Sequence, residues 1–120
     1  MNNFEIGIDI EKIKRFDNKE NSRDENFLKK IFTQKELDYC FSKNNASSHL
    51  AGRYAAKEAI IKALSSIYEE KIIYNEIEIV NNSNSVPEVI ILKPELNNLK
   101  IKISISHNED NAIAMAILLH

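Results

Sequence analysis

The residues that staple, bend or punctuate a chain are nearly missing from this one: its 120 residues include one cysteine, two prolines, two glycines and no tryptophan. Cys40 has no second thiol to pair with, so an internal disulfide framework is excluded. G-x-G-x-x-G, the Walker pattern, C-x-x-C and H-E-x-x-H are all absent. Dinucleotide binding on a Rossmann motif, Walker-type nucleotide hydrolysis and zinc proteolysis are therefore without support. Ser104, Ser106 and His107 lie close together, yet no nucleophile-elbow glycines accompany them, which argues against a hydrolase triad. No apolar run approaches the roughly 20 residues that span a bilayer. Charge of one sign is lacking as well. Sixteen Lys and Arg against 18 Asp and Glu give a net charge of −2, so the overall balance offers nothing to nucleic acid, and any basic site has to be local. A lone thiol and no secretory signal at Met1–Asn3 lead us to expect a cytoplasmic protein, with no membrane or nucleic-acid partner.

What is present is an ordinary globular composition, with 43% apolar and 28% charged residues, at a length that suits one domain spanning 1–120. Phe4, Ile6, Ile8 and Ile10 alternate with smaller or polar residues, which predicts a strand over 4–10 with these side chains on its buried face. From Ile13 to Phe32 the pattern is helical, with the polar stretch Asn18–Asp24 read as a loop between two short helices. Thr33 followed by Glu36 is a capping box that starts a helix over Gln34–Ser42. Ser47 or Ser48 is expected to cap a longer helix reaching about Leu64. Along it Ala51, Ala55, Ala59 and Ala63 form a narrow stripe that permits close approach of another element. Beside that stripe run Leu50, Tyr54, Glu58 and Lys62, apolar at first and charged in the last two turns. Strand patterns follow at Ile77–Ile79, Val89–Leu92, Leu99–Ile105 and Ala112–Leu119, separated by a turn at Asn81–Ser85 and a hairpin loop at His107–Asn111. The expected class is α+β, an antiparallel sheet packed on a long central helix.

Asp9 sits late in this strand, on the side opposite Ile8 and Ile10, near a sheet edge or cleft. A solvated strand-end acid, or for Glu58 and Lys62 a plain i, i+4 surface pair, accounts for each residue alone. Together, two carboxylates from separate elements beside a lysine suit Mg²⁺, a hard cation that takes oxygen ligands and keeps waters and substrate phosphates. Arg53 and Lys57 occupy the preceding turns, where they are either a phosphate-binding rim or a solvated face. His107, at a strand end, is either a phosphate donor or merely exposed.

Gly7-Ile8-Asp9-Ile10 with Ile13 and Arg15-Phe16, Phe32-Thr33-Gln34-Lys35-Glu36-Leu37, the block from Leu50 to Leu64, and Ser104-Ile105-Ser106-His107 together resemble the holo-acyl-carrier-protein synthases, a family of 4′-phosphopantetheinyl transferases. The resemblance implies Mg²⁺-dependent transfer of the 4′-phosphopantetheine arm of coenzyme A to a serine of apo acyl carrier protein, with release of adenosine 3′,5′-bisphosphate, in fatty acid biosynthesis. It implies Asp9, Glu58 and Lys62 as catalytic residues, with Asp9 and Glu58 as the metal ligands and Lys62 beside the pyrophosphate. Coenzyme A contacts are implied for Arg53, Lys57, Lys62, Pro87, Ser106 and His107, carrier-protein docking for Lys14 and Arg15, and a homotrimer with sites between subunits. Glu11, two residues past Asp9, resembles the Asp-x-Glu of the larger surfactin-type transferases and offers a third carboxylate. Ser65-Ser66-Ile67-Tyr68 and the segment Asn82–Val86 lack glycines usual in the family, so the pantetheine and adenine loops are expected to differ. Either Glu58 or a metal-bound water would take the serine proton. Two rival readings are a noncatalytic module that docks carrier protein and a structural domain that binds no coenzyme A.

Overall fold

A computed structural model describes residues 3–17 and 22–120, with side chains from residue 25 onward in the second stretch. Strand β1 (Phe4–Lys12) leads into a 3₁₀ turn (Ile13–Phe16), followed by helices α1 (Ser22–Ile31), α2 (Gln34–Phe41) and α3 (Ala46–Leu64). Strands β2 (Ile77–Asn81), β3 (Pro87–Ile91), β4 (Lys100–His107) and β5 (Asn111–Leu119) complete the chain. The α+β class is as expected, but the strands form two sheets: β1-β5-β4, antiparallel throughout, and the β2-β3 hairpin. β1 lies along β5, with Gly7 opposite Ala116, Asp9 opposite Ala114 and Glu11 opposite Ala112. Of the expected loop at Asn18–Asp24, residues 18–21 lie outside the described ones, and Ser22 already begins α1.

Small residues set the distance between α3 and the three-stranded sheet. Ala51, Ala55, Ala59 and Ala63 are buried on the helix, and Ala112, Ala114 and Ala116 on β5. Gly7 meets α3 so closely that a Cβ there would sit 1.9 Å from the Ala59 carbonyl oxygen. This reverses the expected facing of β1. Phe4, Ile6, Ile8 and Ile10 are 57–64% exposed, because the helix takes the face of Gly7 and Asp9, where no large side chain fits. A period of two identifies the strand without saying which face is inside.

The capping box at Thr33 is present, with Thr33 N donating to Glu36 Oε1 (2.8 Å) and Glu36 N to Thr33 Oγ1 (3.4 Å). Ser47 and Ser48 are not caps: Asn45 occupies that position, makes no side-chain capping bond, and α3 starts at Ala46. In the turn between β2 and β3, Asn82 Oδ1 accepts from the amides of Asn84 (2.8 Å) and Val86 (3.1 Å). Those bonds hold Ser85 at φ 61°, the left-handed conformation that a glycine would take without strain.

Lys57 is the largest departure from expectation. It is fully buried, and its ammonium donates to Glu36 Oε1 (2.6 Å), the Ile31 carbonyl (2.7 Å) and the Tyr74 carbonyl (3.1 Å). All three protons are used internally, so Lys57 is no part of a phosphate rim. Replacing Lys57 by methionine keeps most of the volume but strands the Glu36 carboxylate. The expected loss is about 3–5 kcal/mol, read as a lowered urea midpoint with an unchanged slope.

Candidate active site

The close approach of β1 to α3 brings Asp9 against the last turns of the helix. Lys62 Nζ donates to the Ile8 carbonyl (2.9 Å) and to Asp9 Oδ1 (3.3 Å), bonds that join residues more than fifty positions apart. The lysine side chain remains 54% exposed, whereas that of Asp9 is 12% exposed. Asp9 Oδ2 is buried and has no hydrogen-bond partner among the described residues. Such an oxygen is costly to leave unsatisfied unless something else supplies the positive charge.

Two further carboxylates share this region. Partial burial and then the closeness of the Asp9 carboxylate push the Glu11 carboxyl up to about 7, with the charge of Glu58 adding to the rise and that of Arg15 opposing it. Glu58, one turn before Lys62, accepts a short hydrogen bond from the Tyr74 phenol at Oε1. Burial and that bond raise the Tyr74 hydroxyl above its ordinary range. Beside Glu58 a cleft of about 630 Å³ is lined by Ile61, Leu64, Ser65, Tyr68 and Tyr74, so the glycine-poor segment after Leu64 forms part of its wall. Among the described residues no group of three His, Cys, Asp or Glu side chains is disposed to hold a metal ion. A cation here would take ligands from a carboxylate pair and the rest from water and substrate.

The other expected contacts fall into separate places. Arg53 is buried, donates to Asn81 Oδ1 (2.8 Å) and lies 4.2 Å from the Tyr39 ring centre. Its Nε is buried without a partner among the described residues. Pro87 pairs with Asn81 across the β2-β3 hairpin and so borders the same corner. His107 is exposed at the end of β4, and Ser106 shares the outward sheet face with Ile113. Burial and then the charges of Arg53, Lys43 and His107 hold His49 below its ordinary value, which puts these basic groups in one electrostatic neighbourhood. Lys14 is exposed on the 3₁₀ turn that Ile13 and Phe16 anchor, while Arg15 pairs with Glu11 (3.4 Å) and covers the Tyr54 ring at 5.0 Å. Sequence reasoning missed Tyr74, Asn81 and Tyr39. Tyr74 follows an irregular segment in which no periodicity marks one residue above another.

Comparison with known proteins defines the class. The model of the 4′-phosphopantetheinyl transferase superfamily matches residues 5–117. The holo-[acyl-carrier-protein] synthase of Chlorobaculum parvum is 40% identical over 115 residues, covering 96% of this chain and 97% of the relative. That of Chlamydia trachomatis serovar D is 41% identical over 117 residues, covering 95% and 98%. The crystal structure of the Helicobacter pylori enzyme in complex with coenzyme A superimposes with a TM-score of 0.80 at 32% identity, over 94% of this chain and 98% of that one. The chain belongs to this superfamily and, within it, to the holo-acyl-carrier-protein synthases, a family of enzymes.

The carboxylate cluster makes the protein sensitive to pH in the absence of metal. Because folding raises the Glu11 pKa, its contribution to stability is fully present below its ordinary value of 4.5 and is lost as pH rises through about 7. Asp9→Asn removes the largest charge that raises it. A carbon-detected NMR titration of metal-free protein should find Glu11 titrating at clearly lower pH in that variant; an unmoved midpoint would contradict the pairing.

Proposed function

We propose that this protein transfers the 4′-phosphopantetheine group from coenzyme A to a serine of apo acyl carrier protein, releasing adenosine 3′,5′-bisphosphate, in the cytoplasm and in service of fatty acid biosynthesis. The observation that carries the reading is the Asp9–Lys62 contact between β1 and α3, with the second Asp9 oxygen buried and unpartnered beside two more carboxylates. An all-oxygen donor set with an orphaned carboxylate oxygen fits Mg²⁺, and Asp9 and Glu58 are the residues that would hold it. When bound, the ion supplies charge neutralisation at the nonbridging oxygens of the pyrophosphate.

The remaining work belongs to the chain. The serine oxygen forms a bond to the β-phosphorus of coenzyme A as the bond to the departing 3′,5′-bisphosphate breaks, and the serine proton passes to Glu58 or to water. Charge grows on the leaving oxygen, so a fixed cation there lowers the barrier more than it strengthens ground-state binding. Lys62 meets that need: it is anchored at Ile8 and Asp9, yet exposed enough to turn toward a phosphate. Arg53, Pro87, Ser106 and His107 would line the nucleotide end. Arg53 would reach it only in part, since the residue is buried, one terminal nitrogen donates to Asn81 and its Nε is enclosed. Lys14 and Arg15 would meet an acidic carrier protein on the turn directly after the metal-binding strand, where opposite charge speeds encounter and fixes orientation.

A single copy leaves Phe4, Ile6, Ile8, Ile10, Ile113, Met115 and Leu119 exposed on one side of the three-stranded sheet. A contiguous apolar face of this kind calls for a protein partner. A further copy of the chain covers it in our reading, the family resemblance implying three, and Ser106 on the same face would then lie at the subunit contact. Ile8→Lys is expected to give monomers in sedimentation at micromolar concentration and to lose most of its transfer activity; an unchanged assembly would remove this interface.

Mass spectrometry of apo carrier protein incubated with coenzyme A and Mg²⁺ tests the whole reading. Conversion to the pantetheinylated form is expected with the wild type and is expected to fall by about 10²-fold or more in Lys62→Ala, following the size of effect seen when one charge-stabilising donor is removed. Arg15→Glu should raise the Michaelis constant for carrier protein more than that for coenzyme A, with the gap closing at high salt. A protein that binds both substrates without transfer would be a docking module, and one that binds neither a structural domain.

A further inference from the structure

Tyr74 stands outside every motif, yet its hydroxyl is the described hydrogen-bond partner of the Glu58 carboxylate. A phenol has one proton to give. Since that proton goes to Glu58 Oε1, the contact between the Tyr54 and Tyr74 hydroxyls (3.4 Å) has Tyr54 as its donor. The order of donation is thus Tyr54 to Tyr74 to Glu58. Tyr54 and Glu58 are one turn apart on α3, and Tyr74, from the 3₁₀ turn Tyr74–Glu76, reaches both. Each phenol is itself held. The Tyr74 backbone carbonyl accepts from the buried Lys57 ammonium (3.1 Å), and the two tyrosine rings pack at 5.4 Å. The Tyr54 ring lies 5.7 Å from Phe16 and 5.0 Å from the Arg15 guanidinium.

A glutamate at a helix surface has three rotatable bonds and loses that freedom when it must present one oxygen to an ion. Tyr74 removes much of the freedom beforehand by tethering one carboxylate oxygen and leaving the other available. We infer that Tyr74 is a positioning residue for Glu58, which it orders for a divalent cation, with Tyr54 as the donor behind it. This rests on the reading of Glu58 as a metal ligand. Hydrogen-bonded partners of metal-binding carboxylates act in this way, fixing the ligand without touching the ion.

The test measures Mn²⁺ binding by electron paramagnetic resonance with coenzyme A present and carrier protein absent, so that no turnover enters, and then transfer rate against Mg²⁺ concentration. Tyr74→Phe keeps the ring, the backbone carbonyl and the Lys57 bond. It is expected to raise the Mn²⁺ dissociation constant about tenfold and the Mg²⁺ concentration for half-maximal rate in parallel, with the Michaelis constant for coenzyme A at saturating Mg²⁺ nearly unchanged. In a Glu58→Gln background the same substitution should change Mn²⁺ binding less than about twofold, because its effect passes through Glu58. Glu58→Gln with wild-type binding and transfer would sink the reading of Glu58 as a ligand, and this inference with it. Impaired Glu58→Gln beside an unaffected Tyr74→Phe would sink only the role of Tyr74, as would an equal loss from Tyr74→Phe in both backgrounds. Should Tyr74→Phe fail to fold, Tyr54→Phe carries the test. It should weaken Mn²⁺ binding by about two- to threefold, less than the loss of a direct partner, and no change there would overturn the inference.

Discussion

One lysine taken wholly out of water organises this molecule. Burial pushes the Lys57 ammonium below its ordinary value, while the charge and hydrogen bond of Glu36 and the more distant Glu78 hold it up. An ion in that setting is tolerable only if each of its protons finds an acceptor. The three acceptors come from three places, the C-terminal end of α1 at Ile31, the first turn of α2 at Glu36 and the segment before β2 at Tyr74. Glu36 in turn accepts from the amide of Ile79 in β2 at 2.8 Å and from the amide of Thr33. Four elements are thereby referred to one atom on α3. Because Tyr74 is among them, the same atom fixes the height at which its phenol meets Glu58.

On the opposite side of α3, the constraint is steric. Gly7 and the alanines of β5 let the sheet come so near the helix that Asp9 and Lys62 can touch directly. The large side chains displaced from that interface have only the outer face of the sheet left to occupy. Close packing at the candidate active site and the apolar exterior therefore share an origin, and a bulkier residue at position 7 would disturb both.

Those two constraints divide what the sequence discloses from what it conceals. The row Leu50, Tyr54, Glu58, Lys62 is legible because helical spacing alone puts it on one side of α3, and the Thr33–Glu36 cap because its chemistry is local. The facing of β1 is not legible. Gly7 looks too small to mark a core, and its burial follows from the approach of Ala59, far along the chain. Lys57 misleads for a similar reason, as a lysine one turn after an arginine resembles a basic rim until the acceptors that enclose it, from 17 to 26 residues distant, are in place. Tyr74 becomes visible only once the fold has carried it to Glu58. Spacing discloses which residues share an element, and tertiary structure decides which of them meet.

Cys40 acquires a chemical meaning from this architecture. The proposed substrate ends in a thiol, and so does the product arm on the carrier protein; wherever one of these arms is held as a disulfide, a reactive cysteine nearby would attack it and exchange into a mixed disulfide, releasing the other thiol. Cys40 is completely buried, and burial pushes its thiol up to about 12, so almost none of it is thiolate at neutral pH. The one sulfhydryl of this chain is thereby insulated from thiol–disulfide exchange, so that an enzyme handling thiols at every turnover keeps its own cysteine out of that chemistry.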